Sequence, residues 1–229
     1  MSATANCVSP IKGTVYRLVK IDGCGNPVTG ASGMQIVGKG FVQVAMVPQY
    51  DNGVEFFQRT ADGSVCVNQI DDAAMKRFEL TMDFCEINQT GVAWMTSMRE
   101  LTTGGPATGY GFSMGEGIQT NRWSLEVWQA ISGAGYCNSN GQQQYIYNAW
   151  PNVGSAKMGN YTIANALSTF QVTGETRAVA NSATNGWLAK NGSSTWLPSG
   201  FASTAIDHWY WNITTTAPPA PACNPLAAL

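Results

Sequence analysis

Charge is what this chain lacks most. Asp, Glu, Lys and Arg make up 11% of its 229 residues, against roughly 25% in an ordinary soluble domain. From Val127 onward the charged side chains are Lys157, Glu175, Arg177, Lys190 and Asp207. Charge is the usual device that keeps a free monomer dispersed. Its scarcity leaves two readings: a surface that packs against further copies of the chain, or a neutral exterior solvated by Ser, Thr, Asn, Gln and Gly. A membrane span is not the explanation. Hydrophobic residues reach 44% and mean hydropathy is −0.10, and no stretch approaches ~18 consecutive apolar residues.

Histidine is nearly absent too. The one imidazole, His208, sits in a Trp-rich strand, which leaves no His pair for a metal and little room for a Ser-His-Asp or Cys-His site. Its neighbour Asp207 points to the opposite face of an extended strand, so His208 reads as structural. No Cys-x-x-Cys or Cys/His cluster offers a zinc site. Gly109–Phe112 and Gly115–Gly117 look like phosphate loops but lack the Gly-Lys-Ser/Thr and the following helix. Asp71-Asp72 and Asp62-Gly63 are too sparse for a calcium loop. Glu126 and Glu175 would serve as a glycosidase pair in any sandwich, but nothing in their spacing singles them out. A formal net charge of −2 and a pI near 5.3 do not attract nucleic acid, and Lys76-Arg77 reads as a solvated patch beside Asp71-Asp72. The expectation is therefore a non-enzyme with no catalytic residue, metal or cofactor.

The N-terminal segment lacks the basic and apolar regions of a secretory signal, which predicts synthesis in a cytoplasm. Sequons at Asn88, Asn160, Asn191 and Asn212 then read as chance matches. The 25 glycines and 10 prolines punctuate the chain evenly. This favours one domain, 1–229, with an extended N-terminal segment, long loops and a Pro-rich C-terminal tail over about 217–229.

Strand signals dominate. Thr14–Lys20, Met34–Gly38, Phe41–Val47, Val54–Arg59, Gln143–Ala149, Ser168–Thr173 and His208–Thr216 read as strands, with Gly40 as a bend and turns at Pro48–Gly53 and Ala61–Gly63. Phe78–Ile87 alternates most clearly: Phe78, Leu80, Met82 and Phe84 on one face, Glu79, Thr81, Asp83 and Cys85 on the other. Trp123–Ile131 alternates similarly, Trp123, Leu125 and Val127 opposing Ser124, Glu126 and Trp128. One helix is predicted over Gly91–Leu101, from Trp94, Met98 and Leu101 at helical spacing, with Thr90 as its cap. Arg177–Asp207 is long, low in charge and poor in period, as loops are that are functional or ordered by a partner. Eight tryptophans suit either protein interfaces or sugar stacking. Trp128, Trp150, Trp187, Trp196 and Trp209 are the least constrained by core patterns.

Several motifs, in order, resemble the major tail proteins, or tail tube subunits, of long non-contractile-tailed phages of actinobacteria. They are Cys24–Gly30, Gly40-Phe41-Val42, Gly63–Asn68, Leu80–Cys85, Ser124–Trp128 followed by Cys137, and Asp207-His208 followed by Thr214–Pro219 and Cys223. The chain departs from that pattern at Asn224-Pro225, where the family often has glycine. The resemblance implies a mostly-β fold, a tail-tube-type β-sandwich or small barrel with one flanking α-helix and long inter-subunit loops. It also implies hexameric rings stacked into a tube in the virion tail. The partners it implies are other copies of the chain, tape-measure, tail-terminator and tip proteins, and DNA that passes through without specific binding. A conduit of that kind predicts a neutral or acidic lumen, because each lysine or arginine on phosphate adds binding. Glu55 and the Glu79–Asp83 strand are the candidates. Oxidation outside the cell makes a late disulfide useful, and Cys66 with Cys85 is the first pair to test, since they flank one connection. The alternatives are a sandwich that recognises glycans through exposed Trp, or another capsid or tail-tip component.

Overall fold

A computed structural model describes residues 9–25, 28, 34–86, 88–102, 110–117, 120–132, 136–161, 163, 169–180, 206–222 and 226–227. Its elements are β1 (Ser9–Ile21), β2 (Met34–Gly38), β3 (Phe41–Asp51), β4 (Glu55–Arg59), β5 (Val65–Ile70), β6 (Ala74–Phe84), α1 (Gln89–Met95), β7 (Arg99–Thr102), β8 (Tyr110–Ser113), β9 (Arg122–Ser132), β10 (Tyr145–Tyr161), β11 (Phe170–Thr176), β12 (Val179–Ala180), β13 (Ile206–Asp207), β14 (Tyr210–Thr214) and β15 (Leu226–Ala227). The fold is mostly β, as the alternation in the sequence predicts.

The main sheet runs β15-β2-β1-β9-β10-β11-β6-β3, with β14 attached to β10. It curls over itself in the manner of a sandwich and is not closed into a barrel, since β15 and β3 end the path. The contact across the fold is visible at Tyr16 on β1. Its ring meets Phe41 of β3 at 5.9 Å and Phe84 of β6 at 5.4 Å, both edge-on. One apolar cluster fills the space between, built from Leu18, Ile36, Leu80, Met82, Trp123, Leu125, Trp150, Val153, Phe170, Val172 and the buried side of α1.

Strand β10 makes the curl possible. Tyr145–Ala149 pair with β14 on one edge, and Val153–Tyr161 pair with β11 on that same side. The change of partner falls where the ladder to β9 skips between Trp150 and Val153. Pro151 occupies that skip; proline has no N–H to give a ladder and is tolerated in a strand at such bulges.

The centre of the sheet is buried on both faces. Trp123, Leu125 and Val127 of β9 point into the apolar cluster, while Ser124, Glu126 and Trp128 on the opposite face are equally buried. A buried carboxylate needs a partner. Register places Arg17 opposite Glu126, and the guanidinium closes a two-pronged bond to it, Nε to Oε2 at 2.6 Å and Nη2 to Oε1 at 2.7 Å. The Arg17 guanidinium also lies 5.8 Å from the Trp128 ring.

The helix differs from the sequence expectation. It spans Gln89–Met95, its cap is Asn88, and the Asn88 Oδ1 accepts from Gly91 N at 2.8 Å. Thr90 instead donates its hydroxyl to Glu100. Ser97 adopts φ 55°, a left-handed conformation that ends a helix, and Arg99–Thr102 turns into β7, paired with β8. Trp94 and Met98 remain in the core as expected, whereas Leu101 is an exposed strand residue.

Candidate functional site

Beyond the buried centre, β11, β6 and β3 carry one face on the core and one open to solvent. The open face follows from period two and the registers. Gln43, Asp83 and Gln171 form one row, Ala45, Thr81 and Thr173 the next, then Val47, Glu79 and Glu175, and finally Gln49 with Arg77. Lys157 of β10 stands beside Thr173. The carboxylates are held by amides. Gln43 Nε2 donates to Asp83 Oδ2 at 2.6 Å and Gln171 Nε2 to Asp83 Oδ1 at 3.0 Å. Gln49 Nε2 donates to Glu79 Oε2 at 3.4 Å, and Arg77 Nη2 lies 3.5 Å from Glu175 Oε1. The result is a polar plate on which Glu79, Asp83 and Glu175 outnumber Arg77 and Lys157. Such a surface repels phosphodiesters and gives them no cation cluster to release counterions from.

The second feature is the hairpin β4–β5, which extends the β3–β6 ribbon. Every residue of both strands is exposed. Phe56 and Phe57, 51% and 50% exposed, face opposite sides, and Val54, Val65 and Ile70 are open as well. The turn is built to hold its shape. The Thr60 hydroxyl donates to the Asp62 carboxylate, Ser64 N donates to it at 3.0 Å, and Gly63 takes φ 89°. The Thr60 and Ser64 bonds bring the Asp62 pKa down to about 2. The ribbon therefore presents apolar side chains to solvent on both faces, the kind of exposed patch that marks contact surfaces in other proteins.

The residues singled out by sequence divide as follows. Glu79 and Asp83 lie on the open plate, and Glu55 lies on the hairpin. Glu126 is sealed against Arg17, while Glu175 is a partly exposed residue of the open face paired with Arg77, so they do not form an acid pair around a cleft. His208 Nδ1 lies 2.8 Å from Thr176 Oγ1, which accepts from Phe78 N. That joins β14's approach to β11 and β6, a structural task. Tyr110–Ser113 forms a strand, not a phosphate loop. Cys66 and Cys85 are free, exposed thiols. The eleven residues of β6, roughly 36 Å at strand rise, stand between Cys85 and the hairpin base, and a disulfide needs Cα atoms within about 7 Å; the expected Cys66–Cys85 bridge is not formed.

Among the expected sugar-stacking residues, Trp128 and Trp150 are buried, together with Trp94 and Trp123. Trp187 and Trp196, and most of the long Arg177–Asp207 segment, lie outside the described residues. The hairpin escaped sequence reasoning in part: Val54–Arg59 was legible, while Val65–Ile70 lacks alternation because both its faces are exposed. No protein-family model matches the chain, and no curated protein matches it either.

Proposed function

We propose that this chain is a structural virion protein that assembles with copies of itself into stacked hexameric rings, forming a phage tail tube through which DNA passes. The observation that carries the reading is the exposed hairpin with a phenylalanine open to solvent on each face. A free-standing monomer gains nothing from such a ribbon, and a self-assembling one needs it. The open plate of amide-held carboxylates supports the conduit half of the reading, since it suits a wall that DNA slides past. The motif resemblance to tail tube subunits supports the same conclusion. No catalytic step enters this reading, and the virion tail is where such a subunit resides.

The glycan-binding alternative rests on exposed tryptophan. Among the described residues that is Trp211, 47% exposed, with Trp209 half-buried. The discriminating experiment is to concentrate the purified chain and image it by negative stain. Hollow rods or six-fold rings are expected. A compact monomer at high concentration that binds a glycan array and is missing from tail shafts would overturn the reading.

A further inference from the structure

A cavity of about 330 Å³ opens beside β2, lined by Tyr16, Ile36, Val37, Gly38, Pro221 and Ala222, with Lys39, Glu86 and Asn88 completing the wall. That volume reaches the range of sites that take up a bulky group. Its floor is apolar and aromatic. Tyr16 stays protonated there: burial, then the charge of Glu86 and of Cys85, push its pKa up to about 12. The rim is charged and exposed, with Lys39 and with Glu86, whose side chain lies against Gly40. Among the described residues neither enters an ion pair.

The hairpin carries groups of complementary kind. Glu55 and Phe57 share one face of β4, and Arg59 joins them, its guanidinium 5.4 Å from the Phe57 ring. The ribbon face offers one acid, one aromatic ring and one base, and the cavity offers an apolar floor with one base and one acid at its rim. The two features cannot meet within one molecule. Gly40 and Cys85 lie at the cavity end of the β3–β6 ribbon, where Cys85 N bonds Gly40 O at 2.8 Å, and the hairpin leaves the other end. Each of those strands is 11 residues long, roughly 36 Å.

We infer that the cavity beside β2 receives the Glu55–Phe57–Arg59 face of the hairpin from a second copy of this chain, Phe57 entering the floor, Arg59 meeting Glu86 and Glu55 meeting Lys39. Knob and hole lie at opposite ends of the subunit, so the contact is head-to-tail, leaves a free knob and a free hole after each addition, and can propagate from copy to copy. This rests on the self-assembly reading above and names its contact.

The test uses the full-length chain, with sedimentation velocity and negative stain as readouts. Arg59→Glu and Glu86→Arg are each expected to raise the concentration needed for rods at least ~10-fold, and the two together to restore it to near wild type. Lys39→Glu with Glu55→Lys gives an independent pair of swaps, and unchanged thermal melting shows that each variant is folded. A photo-crosslinking residue at position 57 is expected to label Ile36, Val37 or Pro221 of another copy. If the wild type forms rods while neither swap pair rescues, or position 57 labels elsewhere, this contact is wrong and self-assembly stands. If the wild type never forms rods, both fall.

Discussion

At the scale of single residues, the decisive side chains are buried and polar. Glu126 is fully buried and Arg17 nearly so, and each satisfies the other. Burial disfavours the charged guanidinium, but the Glu126 carboxylate outweighs it and raises the Arg17 pKa. Removing one partner leaves an uncompensated charge. Glu126→Ala is expected to cost about 3–5 kcal/mol in urea melts, whereas the double change Arg17→Met with Glu126→Leu is expected to be neutral or stabilising. Tyr16 sets a pH limit. Its pKa rises from 10.0 unfolded to about 12 folded, so the folded state holds its proton longer. The stability it brings is full below pH 10 and is lost as pH climbs through 12, roughly 2–3 kcal/mol in all. Denaturation followed across pH 9–12 should show that loss, and Tyr16→Phe should remove it.

Among the elements, the hairpin is the separable one. Among the described residues β4 and β5 pair only with each other, and all their residues are exposed. Excising 54–71 and joining Gly53 to Asp72 leaves a four-residue turn after the Asp51–Ala74 pair. The melting temperature is expected to move by no more than a few degrees, and rods to disappear. Legibility follows the same physics. Strands with one wet face were readable: Phe78–Ile87 was expected and Ala74–Phe84 is observed, with Leu80, Met82 and Phe84 inward. β10 was read only to Ala149, because its continuation through Pro151 to Tyr161 is nearly all buried at first and carries no alternation. The helix was overextended because Leu101 continued the spacing; the stop comes from the Ser97 backbone and from pairing with β8, which no local pattern encodes. The acidic plate was half legible. Glu79 and Asp83 stood out, but the glutamines that hold them come from β3 and β11, and only the register assembles them.

For the molecule as a whole, the proposed tube would make the open plate a test of how the assembly treats DNA. Glu79→Lys with Asp83→Lys turns a repelling wall into a binding one. The assembled variant is expected to bind duplex with a steep salt dependence, each phosphate contact adding about 0.9 to the log–log slope, while wild-type assemblies bind none. Equal behaviour of the two would remove the plate from the lumen.

The pairing of β1 with β9 has a consequence in time. Residues 16–19 can pair early with β2, but the longer ladder of 9–21 forms only with 122–132, so at ~5–20 residues per second of synthesis the other edge of the first strand waits on the order of ten seconds on the ribosome. During that interval Val15, Leu18 and Val19 face water, and loop closure over such a span is slow in its own right. Newly made chains therefore pass through a sticky stage before the main sheet is complete, and a holdase that covers β1 should raise yield more than one acting on the finished fold.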